Sequence, residues 1–293
     1  MGKDLAGRFP EARRTFEEID EALGTSLSRL MWEGPEEELT LTHNAQPAIL
    51  AHSVAVWSVL KDRVGPELKA AAGHSLGEYS AYVAAGALTV ADAARLVRER
   101  GQLMFRAGQA RPGAMSAVLG LATDAVEQAC GEASTAQAVV VAANLNAPDQ
   151  TVISGDPGAV EVAGQNCKTR GAKRVIPLKV SGAFHSPLME PAVDGLRKAL
   201  AAVRFGEPGV PVVANVTATG VTTSSEARQL LADQLTAPVR WVACMQTAAK
   251  TVPDARFVEA GPGNVLSGLL KRIVPGAPST AVGTADEVVK FLA

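Results

Sequence analysis

Residues 71–86 read AAGHSLGEYSAYVAAG. Within them Gly73-His74-Ser75-Leu76-Gly77 matches G-x-S-x-G, the sharp turn that lifts a nucleophilic serine between a strand and a helix. The flanks suit that turn. An apolar run, LKAAA, leads in, a helix-forming run, LGEYSAYVAA, leads out, and Gly86 can end the helix in a left-handed conformation. Glycines on both sides of the serine are expected to let strand and helix approach closely. The Ser75 hydroxyl then stands at the positive end of a helix, and the Leu76 N–H is placed to donate to an oxyanion. Three fixed positions in five also describe an ordinary loop; the strand–turn–helix setting is what favours a nucleophile.

A serine nucleophile needs a base, and the chain has 4 histidines. His52 falls inside an expected helix and reads as a packed or surface side chain. His43 lies in a polar stretch read as a loop. His74 neighbours the serine but leaves the other side of the turn, as a structural or pocket-lining group. His185, in VSGAFHSPLM, follows an expected strand end, where catalytic groups gather. Ser186-Pro187 reads as an N-cap and first helical residue that would fix this loop. By elimination His185 is the base; a capping or core histidine is the plain alternative.

The helix TVADAARLVRERGQLMFRA places Ala93, Leu96, Val97, Leu103, Met104 and Ala107 on one stripe, with Arg100 in its middle. An inward guanidinium must find an anion or several acceptors. It could pair structurally with Glu78 or another buried carboxylate. It could instead hold a substrate carboxylate through two parallel hydrogen bonds. Spacing alone leaves both open; beside the serine turn, the second implies an acyl group that carries its own carboxylate.

Working outward, helices are expected at Pro10–Leu23 (closed by Gly24), Gln46–Val64 (Pro47 in its first turn) and Thr89–Ala107, with a short strand at Glu67–Gly73. The rhythm then changes. Strands at 114–121, 138–145, 150–154 and 173–180 alternate with helices at 123–133 and 157–170, in the order β-α-β-β-α-β of a ferredoxin-like unit. A helix at 187–203, a strand at 210–215, helices at 225–235 and through Trp241, a strand at 255–259 and a helix from near Asn264 follow. Strands alternating with helices imply a parallel sheet covered on both faces.

The chain has 293 residues, 47% hydrophobic and 20% charged, with formal charge −2, enough for one large core and a smaller subdomain. Its near-neutral charge and 4% aromatic content argue against nucleic-acid binding. Cys130, Cys167 and Cys244 form no CxxC pair, so neither a disulfide framework nor a zinc site is indicated, and a reduced, cytoplasmic setting is expected. No run of about 18 apolar residues is present, so no membrane span is expected. Gly261-Pro262-Gly263 lacks a full nucleotide fingerprint and reads as a turn opening a helix.

Taken in order, GHSLGEYSA, RLVRERGQLM, NAPDQTVISG, AFHSPLM, PVRW and EAGPGNVL resemble the malonyl-coenzyme A:acyl carrier protein transacylase family over nearly the whole chain. The resemblance implies an α/β-hydrolase-like core with a parallel sheet (1–111 and 179–293) carrying a ferredoxin-like inserted subdomain (112–178). It implies Ser75 as nucleophile, His185 as base, Arg100 as holder of the malonyl carboxylate, and Gln234, in DQLTAPVRW, as the residue whose backbone carbonyl orients the histidine. Asn146 and Gln150 match pocket-lining positions. Phe184 matches the position that distinguishes malonyl transferases, similar to Ala-Phe-His here, from methylmalonyl types with a serine. A bulky ring there crowds an extra methyl, worth about 1–3 kcal/mol. The substrates implied are malonyl-coenzyme A and phosphopantetheinylated acyl carrier protein, with no cofactor or metal and a monomer as the default. Lys271, Arg272, Lys173 and Arg174 are candidate contacts for an acidic carrier.

Family members begin with a strand and an F-P-G-Q-G-S-Q loop whose glutamine N–H is the second oxyanion donor. This chain starts at MGKDLAGRFPEARR, similar to the segment after that loop. A neighbouring strand is therefore expected to lack a partner. Either the true start lies upstream, the reading favoured here, or the chain is weak, since one oxyanion donor is worth about 2.7–4 kcal/mol. A polyketide-loading acyltransferase, a serine thioesterase or hydrolase, and a non-catalytic carrier binder are the competing functions. The hydrolase needs no inward arginine and normally supplies an acidic triad partner.

Overall fold

The computed structural model describes residues 1–293. The chain opens with helices α1 (Lys3–Arg8), α2 (Pro10–Leu23), α3 (Leu27–Glu33), α4 (Glu36–Leu39) and α5 (Thr42–Val64). Gly24 ends α2 at φ 61°, and its N–H bonds the Asp20 and Glu21 carbonyls. α5 begins at Thr42, so Pro47 lies inside it and His43, expected in a loop, sits in its first turn against Phe105. The strand expected over 67–73 is shorter: Gly65–Glu67 form a 3-10 turn, where Pro66 has no N–H to donate to a ladder, and β1 is Ala71–Ala72 alone.

Next come α6 (Gly77–Ala84) and α7 (Val90–Ala110). Thr89 caps α7 by accepting from the Asp92 N–H at 3.0 Å. After β2 (Ala114–Leu119), α8 (Thr123–Ala133), β3 (Val140–Ala147), β4 (Gln150–Gly155), α9 (Pro157–Thr169) and β5 (Arg174–Pro177) complete a β-α-β-β-α-β run. Its sheet has the order β3-β4-β2-β5 with every neighbouring pair antiparallel. Val118, Val126, Ile153, Val160 and the thiols of Cys130 and Cys167 fill a core of its own between this sheet and α8 and α9.

The remainder is α10 (Glu190–Ala202, entered through a 3-10 turn at Pro187–Met189), β6 (Val212–Val213), β7 (Gly220–Val221), α11 (Ser224–Asp233), α12 (Trp241–Thr251), β8 (Phe257–Ala260), α13 (Val265–Ile273), β9 (Ser279–Val282) and α14 (Ala285–Leu292). The parallel sheet expected here is present in two pieces. β1 runs parallel to β6, which also pairs antiparallel with β7, and β8 runs parallel to β9. β1 and β7 form the edges of the first piece, and β8 and β9 are the two strands of the second. Helices α2, α5, α6, α7, α10 and α11 bury the largest cluster, including Phe16, Leu50, Tyr79, Tyr82, Leu96 and Leu196. No helix is long and apolar enough to cross a membrane. Mixed α/β architecture thus brings β1, the start of α6, the middle of α7, and the loops before α10 and α12 to one place.

Candidate active site

The turn between β1 and α6 is as tight as the sequence implies, but the requirement falls on one glycine. A Cβ on Gly73 would stand 1.9 Å from the Gly77 carbonyl oxygen, whereas a Cβ on Gly77 meets nothing. The close approach holds Ser75 in the left-handed region, at φ 51°, a conformation that costs a non-glycine residue roughly 1–2 kcal/mol. Asn215, just beyond β6, clamps the turn from below. Its Oδ1 accepts from the Ser75 N–H at 2.7 Å and its Nδ2 donates to the Gly73 carbonyl at 2.8 Å. The Leu76 N–H, at the head of α6, has no acceptor and is free to serve an oxyanion.

His185, 3% exposed, sits on the loop before α10, also left-handed at φ 57°. Its Nδ1 meets the Gln234 backbone carbonyl at 2.8 Å and its Nε2 meets Ser75 Oγ at 2.8 Å. A carbonyl can only accept, so Nδ1 carries the proton and Nε2 of the neutral ring accepts from the serine hydroxyl. Burial first, then the Arg100 charge, push the imidazole down to about 3, which keeps it neutral and able to take a proton. A main-chain carbonyl thus orients the base where an acidic side chain often does.

Arg100 points inward from α7 and is 1% exposed. Its Nη2 donates to Ser75 Oγ at 3.0 Å and to Gln234 Oε1 at 2.9 Å, and its Nη1 donates to Gln46 Oε1. Its Nε–H has no acceptor. Every acceptor is neutral, and no carboxylate lies within ion-pair distance. The direct Arg100–Glu78 pair considered from the sequence is therefore absent; the Gln234 amide stands between them, donating to Glu78 Oε2 at 2.7 Å. A buried cation with an unfilled donor and only neutral partners has hydrogen-bonding capacity left for an anion.

The structure joins Ser75, His185, Arg100 and Gln234 in one hydrogen-bonded cluster. Phe184 packs beside them against Met115, Ala143 and Val152. Asn146 accepts from His74 Nε2–H at 2.8 Å, and the His74 ring also leans on Trp241, so His74 is structural in its contacts. Gln150 is not tied to the cluster; its Oε1 accepts from Arg272 at 2.7 Å. Two members, Asn215 and Gln46, escaped the sequence reading, and a third, Glu78, entered it only as a direct partner for Arg100. Asn215 ends the apolar run VPVVAN, and a polar residue closing a buried strand was the available signal. Gln46, buried inside α5, is a polar residue at the head of that helix's apolar run. Glu78, fully buried, accepts from the Asn215 N–H and from Gln234.

A strained serine, a neutral imidazole and a buried guanidinium with one unfilled donor thus meet at one place. The acyl transferase domain family matches residues 1–286. The malonyl CoA-acyl carrier protein transacylase of Bacillus subtilis is 45% identical over 291 residues, covering 98% of this chain and 90% of that one. An acyl carrier protein S-malonyltransferase from Vibrio cholerae superposes with a TM-score of 0.93 at 43% identity, over 99% of this chain and 94% of that one. A type II PKS acyl-carrier protein in complex with its malonyl-transacylase gives a TM-score of 0.93 at 42% identity, over 100% of this chain and 94% of that one. The chain belongs to the malonyl-CoA:acyl carrier protein transacylase family of acyl transferase domains.

Proposed function

We propose that this protein moves the malonyl group of malonyl-coenzyme A to the phosphopantetheine thiol of acyl carrier protein, supplying fatty acid synthesis. The observation that carries the reading is Arg100, buried beside Ser75 with no anion of its own. Ser75 Oγ attacks the thioester carbonyl while His185 Nε2 takes its proton. The Leu76 N–H donates to the tetrahedral oxyanion. Collapse expels coenzyme A, whose thiolate receives that proton back from the imidazolium. The malonyl ester on Ser75 then waits with its carboxylate on Arg100. The carrier thiol repeats the steps in reverse, giving ping-pong kinetics. The reaction as read uses two substrates and no resident cofactor or metal.

In this reading Phe184 limits the room beside the α-carbon, and Asn146, held by His74, lines the wall. Gln150 is assigned there with less support, given its bond to Arg272. The antiparallel sheet β3-β4-β2-β5 supports reading 112–178 as a ferredoxin-like subdomain on an α/β-hydrolase-like core formed by 1–111 and 179–293. Exposed Lys271, Arg272, Lys173 and Arg174 are candidate contacts for the acidic carrier, with the protein acting as a monomer in the cytoplasm.

Labelled malonyl-coenzyme A with and without carrier protein tests the reading. Label reaching the carrier, with little free malonate in its absence, is expected; free malonate at equal rates either way would make the protein a hydrolase. A polyketide carrier is the second reading, favoured by the similarity to a transacylase bound to such a carrier. Transfer to both carriers side by side separates the two.

A further inference from the structure

Two opposite charges are buried at the site without touching. Glu78 is 0% exposed and Arg100 1%. The Gln234 amide bridges them, its Oε1 accepting from Arg100 Nη2 at 2.9 Å and its Nε2 donating to Glu78 Oε2 at 2.7 Å. Glu78 Oε2 also accepts from the Asn215 N–H at 3.0 Å. Glu78 Oε1 accepts from nothing. One carboxylate oxygen is therefore committed to holding Gln234 and Asn215, and the other is bare.

We propose that Glu78 is the charge balance of this site: when a carboxylate-bearing acyl group seats on Arg100, Glu78 takes up one proton, so the buried pocket holds one anion at a time. The proposal rests on the reading of the substrate as a malonyl thioester. Before loading, one buried cation faces one buried anion. Loading brings a second carboxylate into the field of the same guanidinium, and two carboxylates sharing a site cannot both stay ionised cheaply. The incoming group takes the Arg100 field that had favoured the ionised Glu78. The proton comes from solvent buffer and adds to Oε1, where it displaces no existing hydrogen bond.

His185 also feels Arg100, but burial first and that charge second hold it down to about 3, so it stays neutral near pH 8 and Glu78 is the group left to adjust. From α7, Arg100 is the only charge acting on Glu78. From α12 comes the Cys244 thiol, pushed up by burial to about 12, and from its own helix Tyr79 and Tyr82, both pushed up by burial; all three stay neutral. α5, β1 and β6, which also pack on α6, bring no charged group to it. Burial already raises the Glu78 carboxyl to about 7 against the pull of Asn215, Gln234 and Arg100, so a modest loss of that pull suffices.

The test separates binding from chemistry with Ser75→Ala protein. Binding enthalpies of malonyl-coenzyme A and acetyl-coenzyme A are measured at about pH 8, where a carboxyl titrating near 7 is roughly nine-tenths ionised, in buffers of different ionisation enthalpy. Malonyl-coenzyme A is expected to take up close to one proton more than acetyl-coenzyme A, and Glu78→Gln in the same background to remove the difference. Equal uptake for the two thioesters, or a difference that survives Glu78→Gln, overturns the proposal. Should Glu78→Gln fail to fold, infrared difference spectra of protein carrying carbon-13-labelled glutamate decide instead. A labelled carboxylate band giving way to a protonated carboxyl band on malonyl-coenzyme A binding supports it, and an unchanged spectrum overturns it. Failure to bind malonyl-coenzyme A at all overturns the transferase reading, a distinct result.

Discussion

Replacing Arg100 by methionine keeps most of the side-chain volume while removing the cation. In the structure the guanidinium makes hydrogen bonds only to Gln46, Ser75 and Gln234, all neutral, and lies 3.0 Å from the nucleophile. Its charge is thus available to the substrate, and removing it breaks a buried pair formed only in the loaded site. Breaking such a pair costs about 3–5 kcal/mol. At about 1.4 kcal/mol per tenfold, kcat/KM for malonyl-coenzyme A is expected to fall by roughly 10²–10³ or more. Acetyl-coenzyme A has no carboxylate to lose, so its kcat/KM is expected to stay within a few-fold. The two Gln oxygens left without a donor cost about 1–3 kcal/mol of stability each, offset in part by removing an unmatched charge. Coenzyme A release measured with both thioesters, on protein whose thermal melt shows it folded, gives the ratio. An equal loss with both substrates would refute the reasoning, because the arginine would then be structural.

At the turn, Gly73→Ala puts a Cβ against Gly77 backbone that cannot yield, and is expected to cost more than about 4 kcal/mol or abolish folding, while Gly77→Ala stays within about 1 kcal/mol of the parent; denaturant midpoints compare them. The acid limb of kcat/KM for malonyl loading is expected below about pH 5, since burial and Arg100 hold His185 down to about 3; a limb centred near 6.5 contradicts this. Unfolded imidazole binds a proton near 6.5 while the buried one waits until about 3, so its burial stabilises most above 6.5 and that contribution drains as pH falls. Relative to His185→Gln, the parent is expected to lose about 3 kcal/mol between pH 7 and 4, read from denaturant unfolding.

Ser75, His185 and Arg100 were legible because each carries its chemistry in its residue type: a serine in a glycine-flanked turn, a histidine at a strand end, an arginine on an apolar stripe. Gln234 meets His185 through its main-chain carbonyl, and any residue has one, so only the family resemblance pointed to it. Glu78, Asn215 and Gln46 support from beneath, through bonds of 54 to 156 residues' separation around the turn and the guanidinium that no local pattern encodes. The helices from 123 and 157 and the N-cap at Thr89 follow periodicity and caps closely. The strands of the larger unit do not: β1 and β6 run for two residues each, too short for a period of two to register. His43 was misread because polar Thr42, His43 and Asn44 begin an otherwise apolar helix.

The central claim is that Ser75 becomes covalently acylated by a diacid. Intact mass of the protein after brief exposure to malonyl-coenzyme A measures it directly. Wild type is expected to gain one malonyl group, lost again on adding carrier protein, and Ser75→Ala to gain none. An adduct that persists in Ser75→Ala, or no adduct on a wild-type protein that still transfers malonate, would contradict the account.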